Sequence, residues 1–238
     1  MESRVLLQPA YVLHRTPFQN TSLLVDFFTL DYGRVRAVAK GARREKSKYR
    51  PLLQPFQPLL VSVSGRGEVK TVTGVETGLA AILLQGGRLF SGFYVNELLT
   101  RLLHNHEEHP VLYKHYQETL VALQGGESIE TVLRRFELNL LTELGYAINL
   151  EEDFRSHEAI DPDSQYRFTP DMGFELLHPD DANDSPRSFQ GRHLVRLREM
   201  DLQDRDTAKS AKRLLRMALT THLGEKPINS RDLFASKC

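Results

Sequence analysis

The spacing of the apolar residues changes once along this chain of 238 residues, near residue 80, and that change limits what it can fold into. Before it, apolar and polar residues alternate over short runs. Val5 to Arg15 and Ser22 to Leu30 read as strands separated by the turn Thr16-Pro17-Phe18-Gln19-Asn20. Asp31-Tyr32-Gly33 then turns the chain into a third run, in which Val35, Ala37 and Ala39 alternate with Arg34, Arg36, Val38 and Lys40. Leu59 to Val63, the turn Ser64-Gly65-Arg66-Gly67 and Glu68 to Thr73 carry a hairpin signature. So many short strands with almost no helical spacing predict a small closed barrel.

After the change the step is three or four residues. Leu89, Phe93, Val95, Leu98, Leu99, Leu102 and Leu103 predict a helix that Pro110 stops, and a second runs from Val111 to Leu123, ending at Gly125-Gly126. Ser128 is a fitting N-cap for a third helix, which carries Ile129, Val132, Leu133, Phe136, Leu140, Leu141 and Leu144 and closes at Gly145. A basic helix is predicted from Asp206 to Leu223, with Gly224 beyond it, and Ser230 to Phe234 reads as a last short turn. These helices need a shared core, which points to a helical bundle. Residues 146–190 show no period and hold Asp161-Pro162-Asp163, Thr169-Pro170-Asp171 and Pro179-Asp180-Asp181, so they read as an irregular acidic insertion. The expected organisation is α+β with two domains, 1–80 and 81–238, the second containing that insertion.

Lys and Arg balance Asp and Glu at 31 each, but the zero hides a segregation. Residues 1–80 hold twelve cations against six acids and residues 191–238 eleven against six, whereas residues 145–190 hold three against eleven. The densest run lies between Arg34 and Arg50, with eight Lys or Arg and only Glu45 to oppose them. Clustered cations repel one another, and a phosphate backbone relieves that repulsion while releasing condensed counterions. Arg34, Arg36, Lys40, Arg43, Arg44, Lys46, Lys48 and Arg50 are therefore the expected nucleic-acid surface, since no acid nearby in sequence neutralises them. Tyr11, Phe27, Phe28, Tyr32, Tyr49 and Phe56 lie on or beside the same strands. Phe27 and Phe28 are adjacent and must point to opposite faces, which leaves one available outside for base stacking. Arg134 and Arg135 flank the apolar face of the third helix, an arrangement suited to the rim of a groove for an acidic, aromatic-ended peptide.

The signatures of common enzymes are missing: there is no phosphate loop, no His-Glu-x-x-His and no Gly-x-Ser-x-Gly. His104, His106, Glu107, Glu108 and His109 read as a solvated helix end rather than a metal site, and Asp161 with Asp163 as loop chemistry rather than a magnesium site. Cys238 is the only cysteine, which excludes an intrachain disulfide or thiolate cluster. No apolar run approaches the length of a membrane span and the N-terminus lacks the pattern of a signal peptide, so the expected location is the cytoplasm. The residues alone thus predict a two-domain nucleic-acid binder without enzymatic activity, cofactor or bound metal. An RNA-binding barrel and a magnesium nuclease remain as other readings.

Several motifs are more specific. Gly33-Arg-Val-Arg, Ala39-Lys-Gly-Ala-Arg43, Leu53-Gln-Pro-Phe56, Gly65-Arg-Gly-Glu-Val-Lys70, Leu89-Phe-Ser-Gly-Phe-Tyr-Val-Asn-Glu-Leu-Leu99, Arg134-Arg-Phe-Glu-Leu138 and Lys226-Pro-Ile-Asn-Ser-Arg-Asp-Leu-Phe234 together resemble the RecO family of bacterial DNA repair proteins, in order and over nearly the whole chain. The resemblance implies an N-terminal OB-fold and a helical domain acting in the nucleoid as a recombination mediator. Such a protein would bind single- and double-stranded DNA, anneal complementary strands and, with RecR, help load RecA on DNA coated by single-stranded DNA-binding protein, whose acidic C-terminal tail it would grip. Many members carry a four-cysteine zinc site where this chain has residues 146–190. No cysteine stands there, so zinc is not expected, and packing of Tyr166, Phe168 and Phe174 is expected to hold the segment instead.

Overall fold

The computed structural model describes residues 4–178, 185–224 and 226–231. Five strands, β1 (Arg4–Phe18), β2 (Ser22–Thr29), β3 (Gly33–Ala39), β4 (Leu59–Ser64) and β5 (Val69–Thr77), close an OB-like barrel in the order β1-β2-β3-β5-β4. The pairs are antiparallel except β3 with β5, whose parallel pairing lets β4 return to β1 and removes both open edges. On β3 buried and half-buried residues alternate along the whole strand, as the sequence spacing predicts. Val12, Val25, Phe27, Val35, Ala37, Ala39, Leu59 and Val61 fill the barrel interior.

β2 is buried along nearly its whole length. Phe27 points into the barrel and Phe28 away from it, but the outward ring is covered by Tyr113 and Tyr116, with ring centroids at 5.4 and 5.9 Å. The expectation of an exposed ring here is corrected: the sequence shows which face a side chain takes, not what later element covers that face. Both tyrosines lie on α2 (Pro110–Gly125), which follows α1 (Gly86–Leu102). Pro110 does not stop α1, which ends eight residues earlier. It is the first residue of α2, where the missing N–H has no helical partner to lose. The register of β1 against β2 shifts between Val12 and His14, and Asn96 of α1 donates from Nδ2 to the carbonyls of Val12 and Leu13 at 3.2 and 3.0 Å. Burial pushes the Tyr116 hydroxyl well above its ordinary pKa, so it stays protonated and donates to Asn96 Oδ1 at 2.7 Å.

The change of period near residue 80 is a change of secondary structure from strand to helix, and the division into compact units falls elsewhere. The two compact units are Met1–Glu127 with Pro227–Cys238, and Ser128–Lys226. The barrel keeps α1 and α2 because their apolar faces are spent on β1 and β2. It also receives a returning 3-10 turn, Asn229–Arg231, whose Asn229 and Ser230 amides donate to Glu97. The rest of the expected turn to Phe234, and Cys238, lie outside the described residues.

The second unit contains α3 (Ile129–Glu143), α4 (Gly191–Arg198) and α5 (Arg205–Leu223). Ser128 caps α3 by accepting from the Thr131 amide, and Asp204 caps α5 by accepting from the amide and hydroxyl of Thr207. Residues 146–190 are not irregular throughout. β6 (Gln165–Thr169), β7 (Gly173–Leu176) and β8 (Ser188–Gln190) form an antiparallel sheet in the order β7-β6-β8. Strands of three to five residues are too short for alternation to stand out in sequence. Tyr166, Phe168 and Phe174 are buried as expected, with Phe189 beside the last two. Asp153 ties the preceding loop to the sheet. Burial would raise its carboxyl, but the backbone N–H groups of Ser156, Arg155 and Leu176 outweigh that and hold it below the usual range. Asp161 accepts from the Asp163 amide and the Ser164 hydroxyl, which is turn chemistry. Gly191 follows closely: a Cβ there would lie 1.9 Å from the Asp161 carbonyl oxygen, so no other residue fits without moving the turn.

Candidate nucleic-acid interface

The loop from Lys40 to Pro58 joins β3 to β4, and Ala42 and Leu53 pin it into the barrel core. Gly41 takes a left-handed φ of 69°, which turns the chain out of β3 so that the Arg43 amide reaches the Thr21 carbonyl at 2.9 Å. Arg15 donates to the Leu53 carbonyl at 2.8 Å, and Gln54 to the Arg50 carbonyl at 2.8 Å. Between these anchors Lys40, Arg43, Arg44, Lys46, Lys48 and Arg50 are all exposed. Glu45, Lys46, Ser47, Lys48, Arg50, Pro51 and Gln54 line an open cup of about 500 Å3. None of the six cations has an ion-pair partner among the described residues. Their polar contacts are with carbonyls and rings: Arg43 with Gln19 O, and Lys48 over the Tyr49 ring at 5.3 Å. A short-stemmed loop carrying a row of uncompensated cations has the chemistry of a phosphate-backbone contact.

Arg34 and Arg36 stand apart from that group. The β2–β3 hairpin sets Asp26 directly opposite Arg36, and both guanidiniums converge on its carboxylate, Arg36 at 2.9 Å and Arg34 at 3.2 Å. The Asp26 hydrogen bond raises the Arg36 pKa above its ordinary value. Arg34 also donates to the carbonyls of Thr100 and Leu103 at 2.6 and 3.1 Å, closing the C-terminal end of α1. Its side chain is only 13% exposed against 35% for Arg36. The premise that no acid neutralises these two is thus corrected. Asp26 is eight residues from Arg34 in sequence but adjacent across the hairpin, and counting back from the turn at residues 30–32 would have found it.

The segment between α1 and α2 supports the same corner. His106 donates its amide to the Arg34 carbonyl at 2.9 Å, and a Cβ on Gly33, at φ 55°, would lie 1.6 Å from the Glu107 carbonyl oxygen. Burial lowers the His106 pKa, so its ring is neutral at pH 7 and touches the Glu68 carbonyl at 3.3 Å. The other rings considered for stacking are also in use. Tyr11 and Phe56 are buried, and Tyr32 and Tyr49 pack half-buried against the barrel core.

Arg134 is not on a rim. It is buried on α3 and paired with the equally buried Glu137 at 2.7 Å, one helical turn on. Arg135, one residue further round the helix, is exposed. Phe136, Leu140 and Leu141 are core residues and do not line an open slot.

The family models match over almost the whole chain: "Recombination protein O N terminal" covers residues 1–78 and "Recombination protein O C terminal" residues 84–232. The chain belongs to the RecO family of DNA repair proteins. It is 42% identical over 233 residues to the DNA repair protein RecO of Coxiella burnetii, covering 98% of this chain and 99% of that one. Identity to the RecO of Methylococcus capsulatus is 44% over 234 residues, covering 98% and 95%. For the RecO of Salmonella dublin it is 46% over 228 residues, covering 95% and 93%. The zinc known in many RecO proteins does not fit the donors present here. The segment has no cysteine, and among the described residues no three His, Asp or Glu side chains approach closely enough to hold an ion. Among the described residues no helix is long and apolar enough to cross a membrane.

Proposed function

We propose that this RecO-family chain is a recombination mediator that binds single- and double-stranded DNA through the loop between β3 and β4. In this reading it anneals complementary strands at the nucleoid and, with RecR, helps load RecA onto DNA coated by single-stranded DNA-binding protein. The observation that carries it is the set of six exposed loop cations, Lys40, Arg43, Arg44, Lys46, Lys48 and Arg50, held on a barrel with only Glu45 among them. Arg36 adds charge at the edge of this surface, damped by Asp26. Contacts of this kind ignore sequence, which suits a protein that must act wherever DNA is damaged. For the acidic tail of single-stranded DNA-binding protein, the contact passes to the exposed Arg135, whose planar fork suits a carboxylate, and Arg134 serves the core of α3.

The test is a titration of labelled single-stranded DNA at several salt concentrations. Four phosphate contacts give a slope of log affinity against log salt of about −3, at ~0.7 per phosphate. Replacing Arg43, Arg44 and Lys46 with Ala should flatten it by about 2. An unchanged slope removes the loop from the DNA surface.

A further inference from the structure

α5 carries five Lys or Arg and one acid, Asp206, in its 19 residues. Arg205, Lys209, Lys212 and Arg216 recur at steps of four, three and four, so they share one stripe, and all four are exposed. The opposite face, with Ala208, Ala211, Leu215 and Leu219, is buried, and α5 packs against α3 and α4 in the same unit. The stripe is therefore held on a fixed rod and spans about 16 Å, at ~1.5 Å per residue. Arg213, beside it, is fastened down, its guanidinium 4.4 Å from the Phe189 ring centre and donating to the Ser188 carbonyl at 2.5 Å.

Helix stability does not explain this placement. Arg205 is the first residue of α5 and Lys209 follows one turn later, at the end where the helix dipole disfavours positive charge. One exposed pair, Lys209 with Asp206 at 3.3 Å, offsets little, and Arg205, Lys212 and Arg216 have no ion-pair partner among the described residues. The exposed stripe also lacks large apolar side chains. That excludes the hydrophobic anchor which a membrane-surface helix or the groove for an aromatic-ended peptide requires. A row of cations without an apolar component fits a run of phosphates.

We propose that the α5 stripe is a second nucleic-acid backbone contact, carried on a different compact unit from the loop between β3 and β4, so that one chain holds two DNA segments at once. This rests on the reading of the chain as a DNA binder and deepens it, since annealing requires two strands to be held together.

The experiment compares the full chain with two variants: Lys209→Gln/Lys212→Gln/Arg216→Gln on the stripe, and Arg43→Ala/Arg44→Ala/Lys46→Ala on the loop. Gln keeps helix propensity, and thermal melts confirm the fold. Two readouts are taken: the salt slope for one labelled oligonucleotide, and energy transfer between two non-complementary oligonucleotides with different dyes, which reports their capture by the same protein. The stripe variant is expected to lose the energy-transfer signal and, for an oligonucleotide long enough to reach both surfaces, to flatten the slope by about 2, from three contacts at ~0.7 each. A folded stripe variant with parental slope and parental energy transfer overturns the second site, and leaves the loop reading standing if the loop variant is impaired. Loss in the stripe variant with no change in the loop variant overturns the loop assignment instead and supports the stripe. Should Gln at three positions unsettle the helix, the single reversal Lys212→Glu serves, and undiminished binding in it counts against the proposal.

Discussion

Arg34 and Arg36 on β3 and the cations between Lys40 and Arg50 form one continuous basic run in sequence, yet the fold separates them into two kinds of charge. The β3 pair shares the buried carboxylate of Asp26, and Arg34 also binds two carbonyls at the end of α1. The loop cations are exposed, with contacts to carbonyls and rings only. Proximity in sequence therefore says little about whether a cation is available to a partner. A cation on a strand has neighbours across the ladder, and one of those is an acid here. A cation on a loop whose anchors are apolar residues such as Ala42 and Leu53 has solvent.

The largest effect expected from this division is that of Asp26→Ala. It strips the carboxylate from two arginines, one of them mostly buried, and should cost about 3–5 kcal/mol in urea denaturation. The DNA salt slope of the protein that remains folded should not flatten, because the loop cations stay in place and Arg36 loses only the acid that damps it. Arg34→Met comes next, at about 2–3 kcal/mol. It uncaps the Thr100 and Leu103 carbonyls while leaving Asp26 its bond to Arg36. If Arg34→Met instead keeps parental stability and flattens the salt slope, the division is wrong and Arg34 belongs to the DNA surface. The smallest stability effect should come from Arg43→Ala/Arg44→Ala/Lys46→Ala, within about 0.5 kcal/mol by the same denaturation, because these side chains pack on little. A loss of several kcal/mol there would show that the loop cations are structural after all.

Much of the barrel was legible because its signals are local. The alternation on β3, the glycines at Gly33 and Gly41, and the turn Ser64 to Gly67 each act over a few residues, and the structure places the strands where those signals lie. The cap at Ser128 and the closing Gly224 likewise lie where expected, and α5 begins one residue before the expected Asp206. The sheet of β6, β7 and β8 was not legible, since strands this short repeat too few times to show a period.

The sequence by itself determined the order of strands and helices as far as α3, the basic loop and the family. Each depends on spacing, composition or motif, which are properties of the chain read in one dimension. Only the tertiary structure decided that Phe28 is covered by Tyr113 and Tyr116, that Asp26 holds Arg34 and Arg36, and that Arg134 is paired with Glu137 inside the core. It also decided that α1 and α2 belong with the barrel. The physical reason is that exposure and charge compensation depend on what packs against a side chain, and in the barrel that neighbour often comes from far along the chain.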